Sequence, residues 1–239
     1  MKTKSRIVAH RGYSARYPEN TLAAFCAACD LGVDDVELDV RRTKDGRIVV
    51  LHDAALDRTT DGRGAVAEFT ERELFRFSAG GWFSPEFNEE RIPFLTEAFD
   101  CVRGRTELLI EIKETGIEET VVALIREHEM QKQVSCISFD QTAILTVRDL
   151  DRNIPVCFLT ASCDGWTPAA LAARGIRGVN IEFHCLSEGL TDTLHSFGLT
   201  VNAWTVDEES DMERLQNMGV DAITTNDPAK LKRLQADGR

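Results

Sequence analysis

The sequence predicts an α/β fold, a TIM-type (β/α)8 barrel with a small insertion after the strand that ends at His52, and three observations predict it. Strand-like apolar runs alternate with helical runs along the whole chain, which argues for a parallel sheet covered by helices. Eight such βα units in 239 residues match the size of one barrel. Histidines and carboxylates fall at or near the ends of several strand runs, where barrel enzymes carry their chemistry. A doubly wound open sheet is the alternative, because periodicity alone cannot close a barrel.

The first strand is expected at Arg6–His10, an apolar run ending in a histidine. A helix at Thr21–Leu31 follows, with Pro18 and Glu19 ahead of it and Asn20 as the expected N-cap. The strand Val36–Val40 alternates Val, Leu and Val with Glu37 and Asp39, so the two carboxylates share one face and the apolar side chains the other. Thr43-Lys44-Asp45-Gly46 carries a hairpin signal. It predicts an extra antiparallel strand at Ile48–His52, with residue 52 opposite residue 37. Residues 53–94 are irregular, holding Gly62, Gly64, Gly80, Gly81, Pro85 and Pro93 and one short helical stretch near Thr70–Phe77. A loop this long in a compact domain is usually functional. Beyond it, strands are expected at Glu107–Lys113, Val134–Phe139, Pro155–Thr160, Gly178–Phe183, Thr200–Val206 and Ala222–Thr225. The remaining helices are expected at Leu95–Val102, Glu118–Glu129, Gln141–Leu150, Pro168–Ala173, Leu190–Phe197, Glu208–Met218 and Pro228–Ala236. The whole chain, 1–239, reads as a single domain.

Apolar residues make up 43% of the chain, enough for a large core. The formal net charge of −12 disfavours nucleic acid or an anionic membrane as a partner. It would also repel an anionic substrate, so cations must be concentrated locally. The seven cysteines show no disulfide spacing, and the Cys26/Cys29 pair lies in a helical run without a partner pair. Reduced thiols in a cytoplasmic protein are expected. No segment has the make-up of a secretion signal or a membrane span. The sequence sets no oligomeric state.

Chemistry concentrates in His10-Arg11-Gly12, Glu37-Leu38-Asp39 and His52-Asp53. Two like-charged carboxylates on one face repel unless a cation lies between them. Oxygen ligands suit a hard divalent cation, Mg²⁺ or Ca²⁺. Histidines move protons near neutral pH. A metal with two proton carriers is equipment for cleaving a phosphate ester. Glu111 and Lys113 share a face near the end of a later strand. His128, His184 and His195 lack such neighbours and read as structural or exposed.

The runs HRG, YPENTLAAF, GVDDVELDVRRTKDGRIVVLHD and LDRTTDG resemble the glycerophosphodiester phosphodiesterase family. Glu111-Ile112-Lys113, Ser138-Phe139, Ala203-Trp204-Thr205 and Thr225-Asn226-Asp227-Pro228 extend the likeness over residues 7–228. The resemblance implies metal-dependent hydrolysis of glycerophosphodiesters, such as glycerophosphocholine or glycerophosphoethanolamine, to sn-glycerol 3-phosphate and an alcohol. It implies one divalent cation on Glu37, Asp39 and Glu111, with His10 and His52 as acid and base. Arg11 and Lys113 are assigned to the phosphate and Trp204 to a wall of the substrate site. Asn226 and Asp227, at the last strand end, either order the mouth or cap the following helix and are given no catalytic part. The segment 53–94 is expected to cap the barrel mouth. Two rival functions are a lysophospholipase D-type activity, for which Trp82, Phe83 and Phe87 would supply an apolar lip, and a non-catalytic glycerophosphate-binding module.

Overall fold

The computed structural model describes residues 4–237. Its strands are β1 (Arg6–Ala9), β2 (Asp35–Arg42), β3 (Ile48–Val50), β4 (Glu107–Ile112), β5 (Val134–Ser138), β6 (Val156–Thr160), β7 (Gly178–Glu182), β8 (Thr200–Trp204) and β9 (Ala222–Thr225). They follow one another as β1-β9-β8-β7-β6-β5-β4-β2, all parallel, and β1 also pairs with β2. That last pairing shuts the ring and decides for a TIM barrel over an open sheet. Helices join successive strands and cover the ring from outside.

The alternation in β2 works as its sequence implies. Val36, Leu38 and Val40 are fully buried in the outer layer, packed with Phe25 and Phe99 of the covering helices. Glu37 and Asp39 therefore point into the barrel, above a small inner layer of Val8, Leu109, Ile137 and Leu159.

Two local expectations are corrected. The first is the hairpin register: Val40 pairs with Val50 and Arg42 with Ile48, which lines residue 52 up with Leu38 and not with Glu37. The turn explains the slip. Thr43 N–H donates to Arg47 C=O (2.9 Å), and Gly46 sits left-handed at φ 83°, so the loop holds three residues, Lys44, Asp45 and Gly46. The second is the cap of the first helix, Leu22–Leu31. Its N-cap is Thr21, whose hydroxyl accepts from Ala24 N–H, and Asn20 is turned inward to the site.

Residues 53–94 hold only the short helix Glu71–Leu74 and two 3₁₀ turns. They have an apolar cluster of their own, in which Leu56, Val66, Leu74, Ala79 and Ile92 sit on Val49 and Leu51. Trp82, Phe83 and Phe87 pack in series, and Phe87 meets Tyr17 of the loop after β1 at 5.7 Å between ring centroids. The cysteines, scattered in sequence, are partly gathered: Cys26 Sγ lies 2.9 Å from Cys101 Sγ, and all seven are free thiols. Burial pushes the Cys26 thiol up to about 11. Among the described residues no helix is long and apolar enough to cross a membrane.

Candidate active site

All eight residues singled out in the sequence converge at the C-terminal end of the barrel. A cavity of about 170 Å³ opens there, lined by His10, Arg11, Glu37, His52, Glu111, Lys113 and Trp204 among others. Asp39 lies directly behind it, fully buried.

The loop after β1 is shaped by two left-handed residues, Arg11 at φ 55° and Gly12 at φ 81°. A side chain at position 12 would meet the backbone of Ala24 at 2.7 Å, so only glycine fits there. This turn aims the Arg11 N–H at Glu37 Oε2 (3.0 Å). The Arg11 guanidinium lies between Glu19 Oε1 (2.7 Å) and Asp39 Oδ2 (3.3 Å). Asn20, left-handed as well, donates from Nδ2 to Asp39 Oδ2 at 2.7 Å.

Glu37, Asp39 and Glu111 form the carboxylate cluster. β2 and β4 are in register so that Asp39 pairs with Glu111, and one oxygen from each of the three acids lies within 4.8 Å of the others. Lys113 Nζ stands 2.6 Å from Glu111 Oε1 and 3.0 Å from Asp39 Oδ1. Burial and the neighbouring Asp39 raise Glu37 well above the usual carboxylate range, and the same causes push Glu111 up to about 7. Burial acts against charge on Asp39 too, but Lys113 and Arg11 hold it at about 2. Asp39 Oδ1 has no well-formed hydrogen bond, which in a buried carboxylate is costly. Three buried acids with one oxygen each within 4.8 Å of the others, two of them pushed above the usual carboxylate range by burial and crowding, make a donor set that fits a hard divalent cation.

The histidines are oriented alike. His10 Nδ1 donates to Asn226 Oδ1 (2.7 Å), and Asp207 fixes the orientation of that amide by accepting from Asn226 Nδ2 at 2.6 Å. His52 Nδ1 donates to Asp53 Oδ1 (2.6 Å), while the His52 carbonyl accepts two bonds from Arg41. With each Nδ1 engaged, each Nε2 is left toward the cavity. Burial and the adjacent Arg11 bring His10 down to about 4, and burial lowers His52 as well. Trp204 packs edge-on against Phe139 across the cavity wall, at 5.7 Å between centroids.

Sequence reasoning did not assign to Glu19, Asn20, Asp53, Asp207 or Asn226 the bonds that hold these groups. Asp53 was legible as the neighbour of His52. Asn226 and Asp207 act on His10 from the far end of the chain, and only closure of the barrel brings them there. His184 and His195 pair with Glu182 and Asp221 away from the cavity, as expected for structural residues.

Fold and site together define a TIM-barrel hydrolase. The sequence profile of the glycerophosphoryl diester phosphodiesterase family matches residues 10–230. The chain is 38% identical to the glycerophosphodiester phosphodiesterase of Caldanaerobacter subterraneus subsp. tengcongensis, over 98% of this chain and 99% of that one. It is 31% identical to a glycerophosphodiester phosphodiesterase of Bacillus subtilis, over 92% and 83% of the two chains. Among solved structures, an Oleispira antarctica phosphodiesterase in complex with the product sn-glycerol-3-phosphate superposes with a TM-score of 0.92 at 30% identity, covering 98% and 97% of the chains. The chain belongs to the glycerophosphodiester phosphodiesterase family, as the sequence motifs led us to expect.

Proposed function

We propose that the protein hydrolyses glycerophosphodiesters, such as glycerophosphocholine and glycerophosphoethanolamine, to sn-glycerol 3-phosphate and an alcohol in the cytoplasm. The observation that carries this reading is one cavity faced by two Nδ1-anchored imidazoles, a buried carboxylate triad and two cations. Glu37, Asp39 and Glu111 would hold one divalent cation, Mg²⁺ or Ca²⁺. Bound there, it would supply Lewis-acid polarisation of the phosphate oxygens. Arg11 and Lys113 bind the phosphate's remaining charge, and Trp204 with Phe139 walls the organic part. The segment 53–94 caps the mouth.

The two imidazoles differ in their anchors, and that difference supports separate roles for them. His10 is held by a neutral amide in a buried place beside Arg11, so it stays unprotonated and acts as the base toward the attacking hydroxyl. His52, though also lowered by burial, is backed by the Asp53 carboxylate, which favours its imidazolium more than a neutral amide would, so it gives a proton to the leaving alkoxide. In the cap, Phe87 packs on Phe83 and Tyr17 while Trp82 and Phe83 stay exposed, the one observation that favours a lysophospholipase D-type activity as the second reading.

The test is turnover of glycerophosphocholine by wild type, His10→Ala and His52→Ala. Each variant should lose at least ~10²-fold in kcat, the usual scale for a general acid or base. On a nitrophenyl phosphodiester, whose leaving group needs no proton, His52→Ala should recover much of its loss and His10→Ala should not. Equal losses on both substrates would refute the assignment.

A further inference from the structure

One side chain of the cap joins the two halves of this site. Arg58 donates from Nε to Asp53 Oδ2 (2.7 Å) and from Nη2 to Asp53 Oδ1 (3.1 Å). It also donates from Nη1 to Glu19 Oε2 (2.8 Å) and from Nη2 to Glu19 Oε1 (2.8 Å). Asp53 is the carboxylate on His52 Nδ1, and Glu19 is the carboxylate on the Arg11 guanidinium. An unbroken chain of charge-assisted bonds therefore runs His52–Asp53–Arg58–Glu19–Arg11. It ties the first residues of the cap to the loop after β1.

We infer that Arg58 is a positioning residue, which sets His52 and Arg11 together by clamping the carboxylates behind them. The inference rests on the phosphodiesterase reading above. Arg58 reaches neither the cavity nor the carboxylate triad, so it acts only through its two partners. Its guanidinium is the group the task requires. Two edges of a rigid planar fork each meet a carboxylate in paired fashion, which a lysine ammonium cannot reproduce. Without it, Asp53 and Glu19 would be two neighbouring carboxylates sharing less positive charge. Asp53 would be free to turn from His52 into solvent, and Glu19 would be left to Arg11 alone. The cap would then contribute to the rate of the chemistry and not only to the choice of head group.

The experiment compares wild type with Arg58→Lys and Arg58→Ala on glycerophosphocholine and on a nitrophenyl phosphodiester, with divalent-metal affinity measured calorimetrically on each. Both variants should lose at least ~10-fold in kcat, about the effect of one misplaced catalytic group, while metal affinity stays within about twofold because Arg58 touches none of the three acids. The loss should be smaller on the nitrophenyl ester, since part of it passes through the proton that His52 delivers. Added guanidinium at a non-denaturing concentration should restore part of the Arg58→Ala rate and leave wild type unchanged. Glu19→Gln combined with Arg58→Ala should cost less than the sum of the two single losses. Arg58→Lys turning over like wild type would overturn the inference, as would equal losses on both esters together with weakened metal binding. A wild type inactive on every glycerophosphodiester would instead sink the functional reading.

Discussion

Glu111→Gln should make the metal-free protein more stable and the metal-loaded protein less so. Glu111 is buried beside Asp39, and its carboxyl is pushed up from 4.5 to about 7 in spite of Lys113. A group whose pKa is raised on folding takes nothing from stability below its unfolded value. The penalty grows as pH rises through the window from 4.5 to about 7. At ~1.36 kcal/mol for each pH unit of that window, the full penalty above it is about 3 kcal/mol against the fold. The amide that replaces the carboxyl carries no charge and escapes this penalty, less whatever it loses in hydrogen bonds to Lys113. Denaturant unfolding in EDTA should therefore place the variant about 2–3 kcal/mol above wild type near pH ~8, and close to it near pH ~4.5. With saturating Mg²⁺ or Ca²⁺ the order should reverse, because only the wild type keeps three anionic ligands and gains from binding. A variant less stable than wild type in EDTA at the higher pH, or a difference that does not vary with pH, would refute the reasoning.

Three further outcomes follow from the geometry. Asn226→Ala frees His10 Nδ1 and should lower kcat by about 10-fold, the worth of one lost orienting hydrogen bond, with metal affinity unchanged in the same calorimetric titration. Gly12→Ala puts a methyl against Ala24 in a left-handed residue and should cost at least ~1–3 kcal/mol in denaturant unfolding. Replacing residues 62–91 by a Gly-Ser linker, which spares Asp53 and Arg58, should leave a barrel that unfolds cooperatively. KM and head-group preference should change more than metal affinity; loss of cooperative unfolding would show the segment to be part of the barrel's core.

What could be read from the chain divides by distance along it. The period-two pattern of Val36 to Val40 set which way Glu37 and Asp39 point, and the parallel pairing of β2 with β4 then laid Glu111 beside Asp39. Every strand and helix of the barrel announced itself by its own period. The hairpin register did not, since a left-handed Gly46 adds one residue to the turn, and a slip of one residue turns a strand over. Asn20 offered two valid hydrogen-bonding roles, helix cap or carboxylate donor, and local sequence favours the cap. Asp207, Asn226, Glu19 and Arg58 are ordinary polar residues until closure of the ring and folding of the cap bring their partners to them.

The hand that sets His10 comes from the last strand. β1 lies between β2 and β9, His10 just after it donates its N–H to Thr225 C=O at 2.9 Å, and the imidazole leans on Asn226. During synthesis the whole carboxylate triad, residues 37, 39 and 111, is available before half the chain is made. His10 lacks its anchor until position 226 has been added and the ring has shut. On the acid–base reading proposed above, a fragment that already holds the three acids but ends before residue 226 should show no turnover of glycerophosphocholine.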